Sequence, residues 1–354
     1  MNGGSTFSEI LSASTRSWYA RQTDEFLLSL AMPIQGVDPL EQLPIVSAQE
    51  HFNFLWDRTP GLCIAAAGQC QNLDLVGSQR FHVAQRFCDE TFSQLVDITP
   101  LSPLHARPRI LLAFSFFDQI TKRDRSLKDK PTVQAVLPRW QLTNQDGSAW
   151  LRLNAVVQNE SDTREIAENL WIMSEKLSLA SNRFKNSIVY KASVSFMNSK
   201  WQDCYRSALS KGIELVHSGE LEKLVLAVRQ SIVLQEPLDP LRMLSNLRNQ
   251  QDSSCRFLWR IKEQSFFGAS PERLLSVNAG QIRSDALAGT AHIDDDGDDL
   301  LQSDKNLREH QLVVSAIAKQ LVSQGLEPLR PKGPQLLKQG HLIHLHTPIV
   351  ASAR

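Results

Sequence analysis

Three ionisable side chains stand beside mostly apolar stretches of the sequence, where they could do acid–base chemistry. Lys223 precedes the stretch LVLAV, Glu272 follows a proline in SPERLLSV, and Glu309 is in line with the apolar side of a predicted helix. A carboxyl group whose pKa is raised by its surroundings can donate a proton, and a partly desolvated amine can accept one. These residue types therefore indicate proton transfer between one acid and one base.

The first two of these side chains also have ordinary structural interpretations. Lys223 could end a strand, with its stem on apolar surface and its ammonium in water. Glu272 could be a carboxylate at the rim of a hairpin, paired with the neighbouring Arg273. Spacing alone favours these interpretations for both residues, so the pattern by itself does not establish catalysis.

Glu309 is more informative because of its position in the predicted helix. Val313, Ile317 and Leu321 follow it at intervals of four residues, so its side chain belongs to the apolar face. A carboxylate that points inward needs a partner, and a divalent cation is one solution. An acid in the first helical turn that favours the helix dipole and stays hydrated is an equally good interpretation.

The stretch LAGT at 287–290 could bind an anionic ligand through its backbone. Ala288, Gly289 and Thr290 are small, so their N–H groups can approach a ligand without a large side chain in the way. A plain turn is the commoner use of such residues. The stretch therefore predicts either a turn or an anion-binding backbone.

The histidines of HLIHLHT at 341–347 are close enough to suggest a metal site. An extended backbone would direct His344 and His346 to the same side, which is a spacing compatible with zinc. No cysteine or acid stands at a helpful distance from them, so the sequence disfavours zinc.

Charge and hydropathy exclude several classes of function. Lysines and arginines number 38 and equal the acidic residues, so no basic field is available to hold a nucleic acid or an anionic lipid surface. No apolar stretch approaches the roughly 18 residues of a membrane span. We therefore expect a small-molecule partner, with no nucleic acid and no membrane.

The cysteines indicate a reducing compartment. The sequence has five, an odd number, far apart and without the C-x-x-C spacing of metal or redox motifs. Together with an N-terminus that lacks the apolar segment of a secretory signal, this pattern predicts a cytoplasmic protein.

The elements that must position these residues are hairpins interspersed with helices. The sequence predicts a strand at 221–234 carrying Lys223, hairpins at 256–272 and 273–284 on either side of Glu272, and a helix at 303–325. Because strands and helices do not alternate regularly, we predict an α+β fold with antiparallel sheets packed against helices.

The chain is predicted to have three parts. Residues 1–25 look like a loose N-terminal arm, 26–190 form the N-terminal part of the fold, and 191–354 carry the candidate catalytic residues. A polar stretch at 181–199 marks the boundary between the two larger parts.

These stretches resemble the chorismate-utilising enzymes, and most closely the isochorismate synthases. The resemblance runs from about residue 60 onward, and although each motif is moderately specific, five in the same order are strong. The matching stretches are EKLVLAVR (222–229), FFGASPERLLSV (266–277), ALAGTA (286–291), SDKNLREHQLVV (303–314) and HLIHLHTPI (341–349).

The resemblance assigns catalytic roles and a metal. It implies that Lys223 deprotonates the water that attacks C2 of chorismate, and that Glu272 protonates the departing C4 hydroxyl. Glu309 would be one ligand of a Mg²⁺ ion that also binds the substrate carboxylate. The expected fold is that of the chorismate-utilising enzymes, and the expected product is isochorismate for quinone or siderophore-type pathways.

The resemblance also assigns the pocket and the nucleophile. Gly289 and Thr290 would line the pocket with Ala288, and His344 would lie against the substrate. A lysine at 223 and an alanine at 288 are typical of members that use water rather than ammonia. They do not separate isochorismate synthase from salicylate synthase, which makes the same intermediate and then expels pyruvate.

The chain ends at Arg354, soon after HTPI, where the family normally continues. The resemblance implies that a further glutamate of the Mg²⁺ site and a substrate-binding arginine belong to that continuation. We therefore expect an incomplete catalytic part, and a non-catalytic remnant is an alternative. A monomer is the expected oligomeric state.

Overall fold

The structure divides into two compact units. The first comprises Met1–Ser187 and Cys255–Ala269, and the second comprises Ile188–Ser254 and Ser270–Arg354. The computed structural model describes residues 6–21, 25–59, 61–99, 101–118, 130–180, 191–197, 201–251, 253–294 and 297–352.

Helices and strands alternate irregularly along the chain. The helices are α1 (Phe7–Arg21), α2 (Pro39–Val46), α3 (Arg80–Gln94), α4 (Glu160–Ala180), α5 (Trp201–His217), α6 (Pro240–Gln250), α7 (Gly297–Gln302) and α8 (Asp304–Ser323). The strands are β1 (Phe26–Ile34), β2 (Phe52–Asp57), β3 (Leu62–Leu75), β4 (Leu95–Asp97), β5 (Leu111–Phe114), β6 (Val133–Gln145), β7 (Ser148–Val157), β8 (Val194–Met197), β9 (Ile232–Leu234), β10 (Cys255–Ile261), β11 (Gln264–Ser270), β12 (Ser276–Asn278), β13 (Gln281–His292), β14 (Gln335–Gln339) and β15 (Leu342–Ser352).

A large sheet forms the first unit. Its strand order is β11-β10-β2-β3-β6-β7-β1-β4, and β5 pairs with β6. The pairing of β1 with β4 is parallel, whereas β1 with β7, β2 with β3 and β6 with β7 are antiparallel. Helix α4 packs against β7 and α1 packs against α4. The predicted α+β class with antiparallel sheets and packed helices is confirmed.

Two arginines of the first unit have no exposed surface, and each pairs with an aspartate. Arg152 has no exposed side-chain surface, and its Nη1 lies 3.0 Å from Asp97 Oδ1. Arg256 and Asp57 are both fully buried, with Nε and Oδ2 3.0 Å apart. Arg256 also donates through Nη2 to the carbonyl of Thr59 at 3.0 Å. A buried charge is tolerated only with such partners.

The prediction of a loose arm at 1–25 is wrong for residues 7–21. Phe7–Arg21 is the helix α1, with Ile10 buried and the Phe7 ring centroid 5.9 Å from that of Trp171. Its polar composition suggested a loop, but the hydroxyl of Ser14 donates to the carbonyl of Ile10 at 2.8 Å. Serine can therefore be accommodated inside this helix, and packing on α4 supplies the stability that helix propensity does not.

The hairpin of β10 and β11 corrects the predicted division at 190/191. It lies within 191–354 in sequence, yet Cys255–Ala269 belongs to the first unit. The reason is that β10 pairs with β2 in antiparallel register, with Leu258 opposite Leu55. Strand pairing over this distance leaves no local signal in the sequence.

The second unit contains a four-stranded sheet covered by a helix. Its strand order is β12-β13-β15-β14. Helix α8 packs on β13 and β15 through a core of Ala286, Val314, Leu321 and Ile349. Ser303 caps the helix by accepting the N–H of Asn306 at 3.3 Å. This packing fixes the helix that carries Glu309.

The predicted strand at 221–234 is mostly wrong. Only Ile232–Leu234 is a strand, and it pairs with β8. The apolar stretch LVLAV has the composition of a buried strand, but no strand of the described ranges pairs with 221–231. A strand needs a hydrogen-bonding neighbour, which composition does not supply.

None of the helices in the described ranges is long and apolar enough to cross a membrane.

Candidate active site

A cavity of about 590 Å³ lies in the second unit, beside α5, the segment 222–226 and the start of α8. Lys223 and Glu309 meet there, with Nζ and Oε1 3.0 Å apart and side chains 27% and 35% exposed. Lys305 and Arg308 also line the cavity. Glu222 lines the cavity too, so its three cationic side chains outnumber its two carboxylates, an excess that suits an anionic ligand.

A glycine in α5 allows the segment that carries Lys223 to approach the helix. A Cβ added at Gly212 would come within 2.4 Å of Leu224 Cδ2. Gly212 is buried, and both residues line the cavity. The close contact anchors Leu224 against α5, so the adjacent Lys223 is held at the wall of the cavity.

The position of Glu309 excludes one of its two interpretations. Helix α8 begins at Asp304, which is the acid of its first turn, so Glu309 belongs to the second turn. It therefore gains little from the N-terminal dipole, which acts mainly within one turn. The prediction that this carboxylate needs a partner agrees with its ion pair with Lys223.

The stretch LAGT is a bulge within β13 rather than a turn. The pairing of β13 with β15 runs from Leu287 opposite His346 to Thr290 opposite His344, so Ala288 and Gly289 share one partner position.

Gly289 is required in this bulge on two counts. Its φ is +84°, and a Cβ there would lie 3.1 Å from Leu345 Cδ1 and 3.4 Å from Asn306 Cβ. A larger residue would meet both backbone strain and a close contact.

His310 supports this bulge, and the sequence patterns did not single it out. It is 2% exposed, with Nδ1 3.1 Å from the carbonyl oxygen of Ala288 and Nε2 2.8 Å from Thr347 Oγ1. Burial lowers its pKa, and His346 adds to this effect. The available signal was its spacing from Val314, which places it on the buried face of α8.

His344 is held through both ring nitrogens. Nδ1 lies 2.9 Å from Thr290 Oγ1, and Nε2 lies 3.1 Å from Gln339 Oε1. The amide of Gln339 in turn donates to the hydroxyl of Ser254. Burial lowers the pKa of His344, so the ring stays neutral. With its nitrogens engaged, His344 can present a ring face to a ligand.

The environment of Glu272 favours its protonated form. Burial raises its pKa, and the charge of Asp285 raises it further, although the residue as a whole is exposed. Arg273 Nε is 3.8 Å from Asp285 Oδ2, so the neighbour expected to pair with Glu272 pairs with Asp285. A carboxyl with a raised pKa can serve as a general acid.

Asp285 itself remains ionised. Burial alone would raise its pKa, but the hydrogen bond from His346 and the charge of Arg283 lower it below the ordinary value. His346 Nε2 is 2.9 Å and Arg283 Nη2 is 3.2 Å from Asp285 Oδ1. Glu272 therefore experiences a fixed negative charge.

All the candidate residues lie in the second unit, but the structure groups them unequally. Lys223 and Glu309 share the cavity, whereas Glu272 is not among its lining residues. Glu309 is connected to the bulge through the adjacent His310, which contacts Ala288.

The donors for a metal ion are few. Within the described ranges, no group of three or more His, Cys, Asp or Glu residues could hold a metal ion. His344 and His346 have separate partners, since their Nε2 atoms lie 3.1 Å from Gln339 Oε1 and 2.9 Å from Asp285 Oδ1. Glu309 could supply one oxygen ligand, so these residues do not by themselves complete a Mg²⁺ site.

Comparisons with known proteins agree with the fold. A family profile described as "Chorismate binding enzyme" matches residues 11–354. The chain is 29% identical over 343 residues to the isochorismate synthase MenF of Bacillus subtilis, covering 93% of this chain and 72% of that protein. It is 36% identical over 156 residues to the salicylate biosynthesis isochorismate synthase of Pseudomonas aeruginosa, covering 42% of this chain and 32% of that protein.

A solved structure shows the same architecture. The menaquinone-specific isochorismate synthase MenF of Escherichia coli superposes with a TM-score of 0.68 at 24% identity. The match covers 98% of this chain and 76% of that one. The likeness supports the assigned fold along nearly all of this chain.

Proposed function

The chain belongs to the chorismate-binding enzyme family, and from this premise we propose that it converts chorismate to isochorismate. Water would add at C2 while the hydroxyl leaves from C4, so the product is an isomer of the substrate. Two relatives with sequence identities of 29% and 36% carry the name isochorismate synthase, which supports this choice.

Lys223 and Glu272 would carry the two proton transfers. Lys223 takes a proton from the attacking water, and Glu272 gives one to the departing hydroxyl. Lys223 Nζ lies 3.0 Å from Glu309 Oε1, so this contact must separate before Nζ can face the attacking water.

Substrate binding would rely on the anionic character of chorismate. Lys305 and Arg308 line the cavity and could attract its carboxylates. The Ala288–Thr290 backbone and the ring face of His344 would contact the bound ring. Mg²⁺, with Glu309 as one ligand, would orient the substrate carboxylate and reduce its charge.

The observation that carries the proposal is the 3.0 Å pair of Lys223 and Glu309 in one cavity. Its test is incubation with chorismate and Mg²⁺, followed by chromatographic separation of products. Isochorismate from the unaltered chain, and its loss in Lys223→Ala and Glu272→Gln, is the expected result. Equal rates in all three would overturn the assignment of these residues.

Two alternatives have distinct outcomes in the same assay. Salicylate and pyruvate as the only products would identify a salicylate synthase. The second alternative is that these 354 residues at most bind a ligand or partner, without turnover. Absence of turnover at any Mg²⁺ concentration would support it.

We propose a monomer that acts in the cytoplasm, and the state of the thiols supports this setting. None of the five cysteines, all within the described ranges, forms a disulfide, and burial raises the pKa of Cys70 and Cys255 to about 12, which makes these two poor nucleophiles. Light scattering coupled to size exclusion would measure its mass.

A further inference from the structure

We propose that His310 is a positioning residue that fixes the Ala288–Gly289 bulge of β13 in the shape needed to bind substrate, an inference that rests on the proposed function. His310 does not touch the substrate in this proposal. It acts through the backbone that does.

The bulge creates a backbone group that needs a partner. Ala288 and Gly289 oppose a single position of β15, so the regular ladder is interrupted there. A carbonyl that is partly withdrawn from water costs free energy without a donor, and the ring of His310 supplies that donor to Ala288 at 3.1 Å.

The two contacts of His310 define its tautomer. A carbonyl oxygen can only accept, so Nδ1 carries the proton that Ala288 receives. In the neutral ring, Nε2 then accepts from the hydroxyl of Thr347, 2.8 Å away. The imidazole thus joins α8, β13 and β15 through two directional bonds, and it can do so in one orientation only.

The other end of the bulge has a matching support. Thr290 bonds to His344, so histidines hold the residues on both sides of Gly289. At Gly289 itself the backbone passes close to its neighbours, since an added Cβ would lie 3.1 Å from Leu345 Cδ1 and 3.4 Å from Asn306 Cβ. The direction of the Gly289 N–H is therefore determined by contacts on both flanks.

Two conservative variants separate positioning from simple packing. In His310→Asn the amide N–H replaces Nδ1–H and can still donate to Ala288. In His310→Gln the amide reaches the position of Nε2 and can bond only to Thr347. We expect His310→Gln to raise KM for chorismate about tenfold with kcat nearly unchanged, and His310→Asn to recover most of that loss.

Two further variants calibrate the effect. Thr347→Val removes the second partner of His310 but leaves the bond to the bulge, so KM should rise only about twofold. Gln311→Ala alters the next residue of α8, which is exposed and bonds to Ser315, and should leave KM unchanged. Equal rises in KM for His310→Asn and His310→Gln would overturn the proposal.

A measurement without turnover keeps the inference separate from the proposed function. In a sample with ¹⁵N-glycine, the Gly289 amide is identified by its loss in Gly289→Ala. His310→Gln should shift this signal and speed its hydrogen exchange, whereas His310→Asn should not. If the Gly289 signal changes in His310→Gln but not in His310→Asn, and no variant turns over chorismate, the proposed function alone is refuted. If chorismate is turned over but the Gly289 signal does not distinguish the two variants, the role of His310 alone is refuted.

Discussion

Each unit contains a cation–carboxylate pair with the same atomic separation and a different environment. Arg256 and Asp57 in the first unit, like Lys223 and Glu309 in the second, are 3.0 Å apart. The first pair has no exposed side-chain surface, whereas the second is 27% and 35% exposed beside a cavity. Burial, rather than distance, distinguishes a pair that supports the fold from one that a ligand can reach.

The two pairs also differ in the hydrogen bonds that surround them. Asp57 Oδ1 also accepts the N–H and the hydroxyl of Thr59, at 3.0 and 2.6 Å. Arg256 donates to the carbonyl of Thr59, so this buried pair is surrounded by partners. The pair of the second unit faces a cavity that Lys305 and Arg308 also line, where an incoming anion would compete for Lys223.

The largest expected effect on stability is in the first unit. Asp57→Ala leaves the guanidinium of Arg256 buried without its carboxylate, so we expect a loss of about 3–5 kcal/mol in the free energy of unfolding. Glu309→Ala, the matched change in the partly exposed pair, should cost less than about 1 kcal/mol. Urea titration monitored by fluorescence measures both, and similar losses would contradict the comparison.

For catalytic activity, unlike stability, we expect the larger effect from a change in the pair of the second unit. Lys223→Ala should lower kcat for isochorismate formation at least about a hundredfold, because a general base typically contributes that much. Its melting temperature should remain within a few degrees of the unaltered chain. Lys211→Ala, which removes an exposed cation of α5 that pairs with Glu214, is the control and should change neither quantity.

Backbone strain gives a smaller effect confined to the second unit. Gly289 and Gly325 have φ values of +84° and +75°, but only Gly289 has neighbours within 4 Å of an added Cβ. Gly325→Ala should cost about 1 kcal/mol from strain alone, and Gly289→Ala about 2–3 kcal/mol. Thermal unfolding compares them. Equal costs would mean that Leu345 yields without penalty.

The smallest expected effect is a shift along the pH axis. Glu272 must be protonated to donate, so kcat should fall as pH rises through its raised pKa. Asp285→Asn removes one cause of that rise and leaves burial, the larger one, so the fall should move partway to lower pH. A pH–rate profile of both chains measures it, and an unmoved profile would show that another group limits the rate.

The raised pKa of Glu272 also makes the stability of the folded chain depend on pH. Because the pKa of Glu272 is higher in the folded chain than the ordinary value, the folded state binds its proton more tightly. That contribution is present at low pH and is lost as pH rises from the ordinary value through the raised one. Glu272→Gln should therefore be at least as stable as the unaltered chain at neutral pH, despite its loss of activity.

Local signals explain which elements could be predicted. The hairpin of β6 and β7 follows from the turn NQDGS, where Asp146 and Gly147 have φ values of +52° and +87°. The helix predicted at 303–325 is α8, because Ser303 is a good N-cap and an apolar stripe follows it. In both cases the determining residues are neighbours in sequence.

Contacts between distant segments explain what could not be predicted. Nothing near β10 indicates that β2 is its partner, and nothing near His310 indicates that it bonds to Ala288 and Thr347. Spacing also gave no reason to bring Lys223 and Glu309 together. Only the resemblance placed them in one site.

The extra residue in β13 changes which face of the sheet the side chains on either side of the bulge point to. Asp285 and Thr290 are five positions apart, so a regular strand would direct them to opposite faces. Their partners Pro348 and His344 are four apart, which shows that both now share one face. Deleting one of the two bulged residues would restore a regular ladder with Thr290 still opposite His344, and would remove the bulged backbone that His310 contacts. A redesign that straightens this strand would therefore lose that contact without changing which side chains face each other.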